Sequence, residues 1–168
     1  MSQIPNKLLN ILASRKKEET FRQLNAINGL IDFLSNDYLG FATNETLFSK
    51  TFQLLLNESV ASNGSGGSRL LSGNHKLYTI LEPLLATFYK SNAALVFNSG
   101  YDANIGLFSA VPQRGDVIIF DEYIHASIRD GITLSNAKAF KFKHNNLKDL
   151  EDVINRIKSS MAIDSEIY

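Results

Sequence analysis

From residue 93 onward the chain alternates short apolar stretches with helix-like segments, and this rhythm narrows its fold more than any other feature. Strands are expected at 93–98, 116–121, 138–142 and 161–167. Helices are expected near 101–111, 125–134 and 147–159, the last started by Asn145-Asn146. Apolar strands of five to seven residues separated by helices are buried on both faces, which requires a mostly parallel sheet covered by helices on each side. The fold class read from the residues is therefore α/β.

Upstream the pattern is looser. Residues 6–24 read as an amphipathic helix, with Leu8, Leu9, Ile11 and Leu12 early and the solvated run Arg15-Lys16-Lys17-Glu18-Glu19 after them. Leu30 to Leu34 reads as a short strand entering the turn-rich Ser35-Asn36-Asp37-Tyr38-Leu39-Gly40. A helix over about 45–58 follows, and then a glycine-serine loop over 62–74. The next helix, about 75–90, contains Pro83, so a kink or a late restart is expected there.

Composition excludes several classes. With 17 basic and 17 acidic residues there is no positive excess to recruit nucleic acid or an anionic membrane. No apolar run approaches the roughly 18–20 residues that span a bilayer. The N-terminal residues lack the apolar core of a secretory signal, so a cytoplasmic location is expected. The absence of cysteine removes disulfides, thiolate metal sites and cysteine nucleophiles. His75, His125 and His144 show no carboxylate spacing of a metal site.

The chemistry-bearing stretch is Asn98-Ser99-Gly100-Tyr101-Asp102-Ala103-Asn104. An apolar run that stops at Ser-Gly and turns into a helix leaves unpaired amides at the helix start, where the dipole also favours an anion such as phosphate. Gly100 permits close approach of the backbone, and Tyr101 sets a flat ring beside it. The Gly64–Gly67 segment is no nucleotide loop, because no strand precedes it and no Gly-Lys-Ser/Thr follows. Asp121 closes a strand and reads as a turn former or cap, while His75 and His144 read as helix-start residues.

Four stretches occur in order: Ser35–Gly40, Gly64–Arg69 with Ser72-Gly73, Asn98–Asn104, and Asp121-Glu122-Tyr123-Ile124-His125-Ala126-Ser127. That series resembles the α-oxoamine synthases, which use pyridoxal 5'-phosphate (PLP) to condense an amino acid with an acyl thioester and release carbon dioxide. The resemblance covers roughly residues 10–168 and implies the fold-type-I, aminotransferase-like architecture. It divides the chain into an N-terminal segment, 1–44, and the first half of the cofactor-binding domain, 45–168.

The same resemblance implies a set of roles. His125 would stack on the cofactor ring, and Ser99, Gly100 and Tyr101 would contact its phosphate and ring edge. The family's usual residue at Tyr101 is an aromatic, often Phe, which leaves the hydroxyl without a reason. Asn36 would contact the substrate carboxylate across the interface of a homodimer, and Arg22 would hold the acyl substrate's terminal carboxylate. The family's Schiff-base lysine would lie beyond Tyr168, making this chain an N-terminal piece that is inactive alone. A reading of a different class remains open, a non-catalytic α/β module whose Ser-Gly turn holds some other phosphate.

Overall fold

The structure, a computed structural model, describes residues 4–24, 29 and 31–168. It consists of two units, Met1–Gln53 and Leu54–Tyr168.

In the first unit, α1 (Asn6–Lys17) is shorter than the residues 6–24 expected from its pattern. Glu19 adopts a left-handed φ of 56°, and the Thr20 amide folds back to the Arg15 carbonyl at 2.9 Å. That pairing terminates a helix, so Arg22 lies outside it in irregular chain. The strand expected over 30–34 is also absent from Ile31 onward, while Leu30 lies outside the described residues. The Asp32 carboxylate accepts the Leu34 and Ser35 amides at 2.8 and 3.0 Å, and this local turn replaces any ladder. α2 (Glu45–Asn57) begins in this unit, with the Asn44 side chain capping the Leu47 amide at 2.8 Å.

The second unit holds α3 (Lys76–Phe88), α4 (Gly100–Ala110), β1 (Val117–Asp121), α5 (Ala126–Leu134), β2 (Lys138–Phe142) and α6 (Leu147–Lys158). α3 runs unbroken past Pro83. β1 and β2 pair in parallel, Val117 beside Lys138 through Asp121 beside Phe142.

The expected strand at 161–167 starts late. The Asp116 carboxylate takes the Glu166 amide at 3.0 Å, and pairing with β1 on its other edge begins only there. The Val117 amide donates to the Glu166 carbonyl, and the Ile119 amide donates to that of Tyr168, both at 2.9 Å. The chain thus steps from β1 to β2 in one direction and returns past β1 in the other. Right-handed crossovers in opposite directions place α5 and α6 on opposite faces of the sheet.

Alternation along β1 fits this arrangement. Val117 and Ile119 point to α6, where Val153 and Ile157 form a core with Phe140, Phe142 and Met161. Ile118 points the other way and is only 1% exposed, so the second face is covered as well. Residues 153 and 157 are four apart on α6, the spacing that aligns side chains on one helical face.

Residues 93–97 belong to no ladder, contrary to the strand expected at 93–98. At Val96 both backbone groups are met by side chains instead. Glu82 on α3 accepts the Val96 amide at 2.9 Å, and Arg69 donates to the Val96 carbonyl at 3.3 Å. Arg69 also grips Glu82 with both terminal nitrogens, at 2.8 and 3.0 Å, and lies over the Tyr78 ring.

Candidate active site

The site is built at the carboxyl end of β1, where open parallel sheets place ligands. Two helices begin around it. α4 starts after the stretch 93–97, and its cap is Ser99, whose hydroxyl oxygen accepts the Asp102 amide at 3.0 Å. The same hydroxyl donates to the Asp102 carboxylate at 3.0 Å. The Ser99 side chain is therefore committed to the helix. The amides of Gly100 and Tyr101 have no acceptor among the described residues, and a Cβ added at Gly100 would meet nothing within 4 Å. This is an anion cradle of backbone N–H groups with open approach.

Tyr101 acquires a reason for its hydroxyl. The phenol donates to the Asp130 carboxylate on α5 at 2.7 Å, fixing the ring at the start of α4. Asp130 also raises the Tyr101 pKa above the ordinary tyrosine value, because the carboxylate holds the phenolic proton.

Four residues separate β1 from α5, which is capped by His125. Its Nδ1 accepts the Ser127 amide at 3.2 Å and lies 2.7 Å from the Ser127 hydroxyl oxygen. Ser127 is fully buried and also receives the Asn104 side-chain amide from α4 at 2.9 Å. The two helices meet closely at Gly131, where a Cβ would sit 2.9 Å from the Asn104 carbonyl oxygen. The exposed face of the His125 ring is thus held by two helices and a buried hydroxyl. Sequence reasoning missed Asn104, Ser127 and Asp130. The His-x-Ser spacing at a helix start was the available signal for Ser127, whereas the other two are visible only once α4 and α5 pack.

Asp121 and His144 form a second pair on the same edge of the sheet. The Asp121 carboxylate accepts the Tyr123 amide at 2.8 Å and lies 2.9 Å from His144 Nδ1. The Tyr123 amide foremost, with His144 and the Asn145 amide, lowers the Asp121 pKa against the opposing cost of burial. These contacts shape the β1–α5 turn, as expected of a strand-end aspartate. His75 caps α3 through the Leu77 amide at 3.3 Å, in line with its structural reading.

Asn36 and Arg22 belong to the first unit and are exposed. Asp37 builds the turn around Asn36 by accepting the Phe41 and Ala42 amides at 2.8 and 3.1 Å. The Asn36 side chain is uncommitted among the described residues. Lys138 and Lys141 on β2 and Lys143 just after it are exposed. No group of three or more histidine, aspartate or glutamate side chains stands together among the described residues, and no helix there is long and apolar enough to cross a membrane.

A parallel sheet whose carboxyl edge carries uncommitted helix-start amides, a tyrosine ring and an imidazole defines an α/β protein suited to a phosphorylated ligand. The chain belongs to the aminotransferase class I and II family, whose model matches residues 28–163. It is 40% identical over 147 residues to the 8-amino-7-oxononanoate synthase of Emericella nidulans, which covers 84% of this chain and 36% of that protein. The crystal structure of 8-amino-7-oxononanoate synthase from Francisella tularensis superposes with a TM-score of 0.59 at 31% identity, covering 76% of this chain and 35% of the other. A serine palmitoyltransferase solved with PLP as its internal aldimine gives 0.64 at 32% identity, covering 74% and 30%. These neighbours carry the fold-type-I transferase architecture and bear out the resemblance to the α-oxoamine synthases. The chain spans between 30 and 40% of the length of the curated relatives it matches.

Proposed function

We propose that this chain is the cofactor-cradling part of a PLP-dependent α-oxoamine synthase that joins L-alanine to a pimeloyl thioester, giving 8-amino-7-oxononanoate for biotin synthesis. The observation that carries this reading is the pair of uncommitted amides at Gly100 and Tyr101, beside a tyrosine ring and an imidazole that are both fixed by α5. Those residues fit a phosphorylated, ring-bearing cofactor. When bound there, PLP would supply the electron sink for charge developing at the amino acid's Cα.

Each residue then has a task. The Gly100 and Tyr101 amides hold phosphate, with the α4 dipole adding to the attraction. Ser99 serves by capping the helix that presents them. His125 lies against the ring face and limits its tilt, while Tyr101 borders the ring. Asn36 meets the amino-acid carboxylate from the partner subunit of a homodimer. Arg22 holds the far carboxylate of the acyl donor, a task suited to a bidentate guanidinium. The reactive lysine comes from outside these 168 residues, so the activity belongs to the whole cytoplasmic protein and this chain alone is inactive.

The test is substrate choice in the full-length protein reconstituted with PLP. Alanine with pimeloyl thioester should outperform glycine with acetyl thioester and serine with palmitoyl thioester in kcat/KM. A second reading, a synthase using a long-chain acyl donor with serine, is favoured by the likeness to the serine palmitoyltransferases at 32–33% identity. Preference for serine and palmitoyl thioester would establish that reading. The ligase that pairs glycine with acetyl thioester and 5-aminolevulinate synthase would each declare themselves by glycine preference. Failure to bind PLP would leave the phosphate-binding module.

A further inference from the structure

We infer that Ser127 is a positioning residue that fixes the tautomer of His125, holding its proton on Nε2 and presenting that nitrogen to the ligand only as a donor. The argument follows protons along one chain of contacts. The Ser127 backbone amide can only donate, and it points at His125 Nδ1 at 3.2 Å. Nδ1 must therefore carry a lone pair and no proton. The Ser127 hydroxyl, 2.7 Å from the same nitrogen, must then be the donor there. With its single proton so used, the Ser127 oxygen can only accept from its remaining neighbour. That neighbour is the Asn104 side chain at 2.9 Å, which fixes the amide with its NH2 toward Ser127.

One unambiguous donor thus orients every group from α4 to the imidazole. Ser127 is fully buried, so water does not compete for its hydroxyl. The neutral ring is left with its proton on Nε2, which makes no hydrogen bond within the described residues. In this form His125 can orient or donate to a bound group but cannot take a proton from it. The inference concerns the protein alone and stands whether or not the proposed reaction is correct.

The test uses the full-length protein with selectively 15N-labelled histidine, read by long-range proton–nitrogen correlation at about pH 8.5, above the ordinary histidine range. His125→Gln identifies its signals. In the wild type Nδ1 should resonate as an unprotonated ring nitrogen and Nε2 as a protonated one. Asn104→Asp replaces the outer donor with an acceptor but leaves the Ser127 amide aimed at Nδ1, so the wild-type tautomer should persist. Ser127→Ala removes the hydroxyl and keeps the amide, and the same tautomer should be seen. A protonated Nδ1 in the wild type would overturn the inference, as would an Asn104→Asp or Ser127→Ala protein, folded by circular dichroism, whose Nδ1 is protonated. The readout is independent of turnover, so its failure is distinguishable from failure of the proposed function.

Discussion

Gly131→Ala tests whether α4 and α5 pack as tightly as the site requires. Alanine in a helix interior is favoured over glycine by about 1 kcal/mol, so propensity alone predicts stabilisation. Packing predicts the reverse. The new Cβ would sit 2.9 Å from the Asn104 carbonyl oxygen, 3.0 Å from Phe108 Cβ and 3.2 Å from Ile105 Cα. Carbon pairs prefer about 3.5–4.0 Å, so the helices must part by roughly half an ångström or more. All three obstacles are backbone or backbone-proximal atoms, none of them the free end of a side chain. Overpacking of this kind costs about 1–3 kcal/mol, and the upper half of that range applies here. The net loss is about 1–2 kcal/mol, or a fall of roughly 2–8 °C in apparent Tm at about 2–4 °C per kcal/mol. Gly106→Ala is the internal control. Its Cβ would meet only the Phe97 ring edge, at 3.1 Å, and that ring is 40% exposed and can swing away. Thermal unfolding of both variants in the full-length protein should therefore lower Tm for Gly131→Ala and hold or raise it for Gly106→Ala. An unchanged or raised Tm for Gly131→Ala would refute the close approach.

Ser99→Ala should remove the α4 cap at a cost of about 1 kcal/mol, measured by thermal unfolding, whereas Ser99→Asp should retain most of the capping. The Tyr101 pKa is raised by its bond to Asp130, so that bond stabilises the fold below the ordinary tyrosine value near 10. The contribution should vanish as pH climbs through the elevated value, and alkaline unfolding of Tyr101→Phe should lack that component. Asp116 runs oppositely. The Glu166 amide foremost, then the Gln113 amide, lowers its pKa, so its contribution is complete above the ordinary aspartate value near 3.9. It should disappear as pH falls through the depressed value, and acid titration of Asp116→Asn should lose that step. Arg22→Ala should raise KM for a pimeloyl thioester by roughly ten- to a hundredfold while sparing an acetyl thioester, and equal effects on both would remove Arg22 from substrate recognition.

The legible part of the sequence was whatever depends on local periodicity. The helix expected near 147–159 forms as α6, and the strands expected at 116–121 and 138–142 do pair. The helix-start roles of His75 and Asn146 followed from residue type and position, whereas Ser99, read as a phosphate contact, caps α4. The site's cross-links were not legible, because Asn104 to Ser127 and Tyr101 to Asp130 span 23 and 29 residues and exist only where α4 crosses α5. Length was misjudged for the same reason at α1. Glu19 carries no glycine-like signal, yet it adopts the left-handed conformation that ends the helix.

The stretch 93–97 shows why an apolar run is insufficient to define a strand. A ladder requires a neighbouring backbone to satisfy each outward amide and carbonyl. At Val96 those two groups are met by Glu82 and Arg69, whose carboxylate and guanidinium together present one acceptor and one donor, as a paired strand would. The two side chains are themselves joined by a bidentate bond, so the imitation is rigid. Arg69 further binds the Asn74 side chain at 3.0 Å. This single arginine thereby ties the glycine-serine loop and α3 to the segment that runs directly into Ser99 and Gly100. The anion cradle is consequently aimed by an ion pair upstream of it as well as by the helix that contains it. That function of Arg69 and Glu82 has no periodic signature, since each belongs to a stretch already explained by a turn or a helix.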